Sequence, residues 1–147
     1  MPANKMIRSI LIVVLLVTFS GCANRAVVDR HKSFNLESIK SLHIKNSDGG
    51  GDELIPVIES KLREMGYSKI TIGDDVSPSA DAVITYKDKW MWDLTMYMVE
   101  LTITVRDKQS WTPLATGNSM HSSFSRKSEK EMVGEVLTNL FSKTEHQ

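Results

Sequence analysis

Met-Tyr-Met-Val-Glu-Leu-Thr-Ile-Thr-Val-Arg, residues 96–106, decides how this sequence folds. Val99, Leu101, Ile103 and Val105 alternate with Glu100, Thr102, Thr104 and Arg106. That two-residue period gives a strand one apolar and one polar face. Such a strand belongs in an antiparallel sheet covered on one side. After it, residues 107–110 are polar enough for a hairpin turn, and residues 111–122 return as the next strand. Before it, residues 82–93 carry Ala82, Ile84, Tyr86, Trp90 and Trp92 at even positions and read as a third strand sharing one face.

Further out, helical periodicity takes over. Residues 53–65 place Leu54, Ile55, Ile58, Leu62 and Met65 on one side, with Glu59, Lys61, Arg63 and Glu64 largely off it. Pro56 falls near the first turn, where a missing amide costs little, and Gly66 is placed to end the helix. Ser128 with Glu131 forms a capping-box pattern that opens a second helix, whose stripe is Met132, Val133, Val136, Leu137, Leu140 and Phe141. Residues 39–45, with Leu42 and Ile44, and residues 69–73, with Ile70 and Ile72, read as shorter strands. The sum is an α+β two-layer sandwich. Two amphipathic helices lie on one face of a mainly antiparallel sheet of four to five strands, the first helix permitting one parallel pairing. Residues 38–143 form that single domain, residues 22–37 a flexible tether, and residues 144–147 a frayed tail.

The chain has 147 residues, of which 41% are hydrophobic and 24% charged, a balance that suits one folded domain and argues against disorder. Eighteen Lys and Arg against 18 Asp and Glu give a net charge of zero, so nothing electrostatic points to nucleic acid. One cysteine cannot form an internal disulfide or a cysteine-based zinc cluster.

The N-terminus carries an address. Lys5 and Arg8 precede an unbroken apolar run over residues 10–17, followed by Phe19, Ser20, Gly21 and Cys22. A basic start, a short apolar core and small residues before a cut site make a secretory signal peptide, and the run is too short to span a bilayer. Phe19-Ser20-Gly21-Cys22 resembles the lipobox of bacterial lipoproteins, departing from it at Phe19, where the family prefers an aliphatic residue. The resemblance implies that residues 1–21 are removed between Gly21 and Cys22, and that Cys22 is acylated and becomes the mature N-terminus. Ala23 in place of an aspartate implies the outer membrane, facing the periplasm.

Motifs of catalysis are sparse. Gly49-Gly50-Gly51 precedes a helix, but Asp48, Asp52 and Glu53 would repel a phosphate, and no Gly-Lys-Ser/Thr follows. His31, His43, His121 and His146 lack metal-ligand spacing, so no metal or other cofactor is expected. His121 beside Ser122 and Ser123 lacks a Gly-x-Ser-x-Gly elbow, and Asp74-Asp75 reads as a surface pair. The expectation is a non-enzymatic protein.

The most unusual stretch is Trp90-Met91-Trp92, followed by Met96, Tyr97 and Met98. Two tryptophans two residues apart share a strand face, where they would roof the sheet under the helices. Trp, Tyr and Met favour interface cores, so Trp90, Met91, Trp92, Tyr97 and Met98 are all candidates for a partner contact, with Met91, Tyr97 and Met98, on the other side, the better ones. With its acylated cysteine, its strand-helix start, Trp-x-Trp-Asp and its terminal amphipathic helix, the chain also resembles small proteobacterial outer-membrane lipoproteins. That resemblance implies an anchored accessory or adaptor that binds another envelope protein. An immunity or inhibitor protein blocking a periplasmic toxin or hydrolase is the alternative.

Overall fold

The computed structural model describes residues 25–32, 34–46 and 51–142. Residues 1–24 and 143–147 lie outside the described residues, and with them Gly21, Cys22 and His146.

Strand β1 (Arg25–Arg30) comes first, then β2 (Ser41–Asn46), helix α1 (Leu54–Glu64) and β3 (Lys69–Ile72). The long strands β4 (Ala82–Asp93) and β5 (Thr95–Asp107) follow, then β6 (Pro113–Met120) and helix α2 (Glu129–Phe141). All six strands form one sheet in the order β1-β6-β5-β4-β2-β3. The first four are antiparallel neighbours, while β2 runs parallel to both β4 and β3.

The architecture is thus α+β with two helices on a sheet, but the sheet is mixed and six-stranded rather than four- or five-stranded. The added strand is β1, which occupies part of the segment expected as a tether. Its sequence, Arg-Ala-Val-Val-Asp-Arg, has no clear alternation; it is a strand because it pairs with β6 from Arg25↔Met120 to Arg30↔Ala115. Arg30 ties the same segment to the far end of the chain. Its Nη2 donates to the carbonyls of Asn139, Leu140 and Ser142, at 2.5, 3.2 and 3.0 Å. These are carbonyls that the last turn of α2 leaves without helical partners, and a cation suits the negative end of the helix dipole.

The helices form where their local chemistry places them. In α2, the Ser128 hydroxyl accepts from the Glu131 amide while the Glu131 carboxylate accepts from the Ser128 amide, so both halves of the capping box are made. All six residues of its apolar stripe are buried. At the end of α1, Gly66 takes φ +99°, the Gly66 amide donates to the Arg63 carbonyl and the Tyr67 amide to the Leu62 carbonyl. This is the paired bonding of a Schellman cap, which favours glycine at the left-handed position. Leu54, Ile58 and Leu62 of α1 meet the α2 stripe over Ile84, Tyr86, Leu101, Ile103 and Val105 of the sheet.

The opposite face of the sheet is polar and bonded across strands. Asn118 donates to Glu100 and Thr102, and Arg106 donates to Thr85. Trp111, in the β5–β6 turn with φ 61°, places its ring 5.8 Å from Lys45 Nζ and 5.9 Å from the Arg106 guanidinium carbon.

Candidate functional site

β4 and β5 are longer than their neighbours, and the excess forms a projecting hairpin. Across the sheet, Arg25, Met120, Glu100 and Lys89 stand in one row. Beyond it only residues 90–99 of the described chain continue in the sheet, closing at Leu94 between the paired Asp93 and Thr95. The register shifts between Lys89 and Trp90, so that Lys89 faces Glu100 but Trp90 faces Met98 and Val99 becomes an extra residue. A bulge of this kind bends and twists the hairpin and changes which side chains share a face.

This bulge corrects the expectation for the aromatic stretch. Met98 and Leu101 are both buried, on either side of the extra residue. Trp90 packs partly against the core and donates from its indole N–H to Asp88. Trp92, expected to roof the sheet, is instead exposed, at a point where β4 and β5 have outrun β2 and β6. Of the five candidate contact residues, Tyr97 and Met98 are buried, Trp90 is partly buried, and Met91 and Trp92 are exposed.

Tyr97 is covered by Arg126, whose guanidinium carbon lies 4.0 Å from the ring centroid. Arg126 also bonds Thr95 and Asp93, at 3.0 and 3.1 Å, and so holds the turn after β6 against the hairpin. From that turn Phe124 projects fully into solvent. Met91, Trp92, Leu94, Met96 and Phe124 therefore make an exposed apolar end to the molecule. Leu94 and Phe124 were not legible as part of it, although a lone phenylalanine within Ser-Ser-Phe-Ser-Arg was a usable signal.

A second cluster lies under α2. Glu135 accepts hydrogen bonds from Ser119 Oγ at 2.7 Å and His121 Nε2 at 2.9 Å, and Lys127 Nζ lies 3.1 Å from its other oxygen. Burial pushes the Glu135 carboxyl up, but the bonds from His121, Ser119 and Lys127 outweigh it and hold the carboxyl at about 2. An ionised carboxylate only accepts, so Nε2 of His121 carries a proton. Nδ1, buried without a hydrogen-bond partner, is then a bare lone pair when the ring is neutral.

The order of groups matters chemically. A nucleophilic serine needs a histidine as its neighbour and base, whereas here the carboxylate sits between Ser119 and His121 and accepts a hydrogen bond from each. Both Ser119 and His121 are buried. The arrangement is that of a structural clasp between β6 and α2. It was missed in the sequence, though an acid amid the Met132–Val136 stripe could have flagged it.

The clasp makes a pH prediction. A carboxyl held below its ordinary value of 4.5 contributes stability that is complete above that value and is lost as pH falls towards about 2. Since Glu135 is partly shielded, the contribution is on the order of 2 kcal/mol. Urea titrations of wild type and Glu135→Gln should therefore differ most above pH 5 and converge towards pH 2. A constant difference across that range would refute the clasp.

Among the remaining candidates His43 and Gly51 make structural bonds, while His31, Asp74 and Asp75 are exposed. His43 is buried, with Nδ1 2.8 Å from Thr71 Oγ1 and Nε2 donating to the Gly73 carbonyl at 3.0 Å. Of the glycine run only Gly51 is described. Its amide donates to Asp88 and its carbonyl accepts from Tyr86, whose hydroxyl is pushed up to about 12 by burial and by Asp52, Asp88 and Glu53. Among the described residues no group of three His, Cys, Asp or Glu is placed to hold a metal ion, and no helix is long and apolar enough to cross a membrane.

The fold has solved likenesses. The PelC dodecamer from Paraburkholderia phytofirmans, in two crystal forms, superposes with TM-score 0.60 at 12% identity, over 82% of this chain and 99% of that one. A PDZ domain protein from Parabacteroides distasonis superposes with TM-score 0.50 at 10% identity, over 84% of this chain and 36% of that one. No family model and no curated protein matches the sequence. The chain shares the PelC fold. At such low identity the likeness extends to the layout of strands and helices and assigns no residue a role.

Proposed function

We propose that this chain is a lipid-anchored outer-membrane protein that faces the periplasm and acts, without chemistry of its own, as an adaptor for another envelope component. The observation that carries the reading is the exposed apolar end of the β4–β5 hairpin, on a chain whose leader ends in Gly21-Cys22. Monomeric domains seldom leave large apolar side chains clustered in water unless the cluster makes a contact. Acylation would confine the domain to one surface and raise its effective concentration there.

Cys22→Ser tests the anchor: the wild type should fractionate with the outer membrane and the variant with soluble periplasmic protein. Unchanged fractionation would reject acylation as the means of attachment. In-cell crosslinking of both forms, read by mass spectrometry, tests the adaptor role. A protein captured only by the lipidated form supports it, whereas equal capture by both forms favours an inhibitor that works free of the membrane. The similar PelC is a dodecamer, and β1 and β3, the outermost strands of the sheet among the described residues, would let copies of this chain meet. The mass of the crosslinked product reads that arrangement too.

A further inference from the structure

The hairpin end and the start of the domain lie on the same side of the molecule. β1 begins at Arg25, in the row of Met120, Glu100 and Lys89, and runs away from the hairpin tip, so the end of β1 to which residue 24 is joined is the tip end. Only Ala23 and Asn24 lie between Cys22 and Arg25, so the three steps along the chain reach about 10 Å when extended. The hairpin extends about five residues past the same row, from Glu100 to Thr95, or roughly 17 Å. A lipid on Cys22 therefore holds the membrane surface within reach of the tip, and nothing longer than the hairpin is needed to bridge the gap.

We propose that the β4–β5 tip is a second membrane contact, entering the interfacial layer of the bilayer in which Cys22 is anchored. The inference rests on the reading of Cys22 as an acylated N-terminus. The tip has the composition that such a layer takes up: Trp92 is 71% exposed, Leu94 90%, and Met91, Met96 and Phe124 stand around them. Its charges do not oppose entry, because Asp93 is paired with Arg126 at 3.1 Å and Arg126 is stacked on Tyr97. Leu94 occupies the turn with φ 57°, a conformation that asparagine or glycine adopts more readily. A large apolar side chain is thus kept at the tip of the hairpin against local backbone preference. With the tip in lipid, the β1 and β3 edges and the polar sheet face remain for a protein partner.

Tryptophan emission reads the contact directly. The acylated full chain would be reconstituted into vesicles of phosphatidylethanolamine and phosphatidylglycerol with brominated acyl chains, which quench only indoles that reach them. Trp111 lies at the opposite end of β5, roughly 40 Å from the tip at about 3.4 Å per residue, and serves as the internal control. Wild type and Trp111→Phe should be quenched alike, and Trp92→Phe should lose most of the quenching. Both positions are exposed, so neither substitution threatens the core. If acylated, vesicle-bound protein is quenched equally with and without Trp92, the anchor stands and the tip contact is overturned. If Trp92 escapes bromine but its emission shifts to the blue as protein density rises, a second copy covers the tip and the proposal again falls. If the mass of the protein shows no acyl group on Cys22, the anchoring reading fails and takes this one with it.

Discussion

Leu137→Ala should lower the stability of the domain by about 2–5 kcal/mol, the range for emptying a leucine site in a packed core. Leu137 is wholly buried in the middle of α2, among the residues that join both helices to the sheet. The loss has two parts: the removed apolar atoms no longer leave water on folding, and the neighbours cannot close the space without disturbing their own contacts. Urea denaturation would show a lower midpoint with an unchanged slope, since the surface exposed on unfolding is nearly the same. Thr138→Ala, one residue along and exposed, should stay within about 0.5 kcal/mol. Equal midpoints for the two variants would refute the placement of α2 on the sheet.

Gly117→Val should cost about 3 kcal/mol, at the upper end of the usual range for forcing extra volume into a packed core. Gly117 lies in β6 opposite Ile103 and Val28. A Cβ added there would stand 2.9 Å from both Leu140 Cγ and Val136 Cγ1, so α2 rests directly on the bare backbone of the strand. A branched side chain would lift the helix and loosen the stripe that Leu137 belongs to. Gly117→Ala should show a smaller loss of the same sign, about 1 kcal/mol. If valine were tolerated without a fall in the midpoint, the close approach of helix and strand would be wrong.

The two substitutions mark the difference between what could and could not be seen in the chain. The stripe containing Leu137 was legible because a helix repeats every 3.6 residues, so spacing alone assigns its buried face. The capping box at Ser128 and the glycine stop at Gly66 were legible for the same reason, each being a bond between near neighbours. Gly117 was not legible as a seat for a helix, because the reason for the glycine is two side chains on α2, Val136 and Leu140, beyond a turn and in another element.

The same division runs through the candidate surface. The alternation of β5 and the two amphipathic helices are properties of consecutive residues, and they suffice for an α+β domain. Which of Trp90, Trp92, Tyr97 and Met98 meets water depends instead on the extra residue at Val99, on the length by which β4 and β5 outrun β6, and on Arg126 folding back over Tyr97. The strand state of β1 depends on the free edge of β6, and the charge of Glu135 depends on donors from β6 and from the turn before α2. Local periodicity follows from the geometry of the backbone and is written in the order of residues. Edges, bulges and buried ion pairs arise only where distant segments meet, and tertiary packing alone decides them.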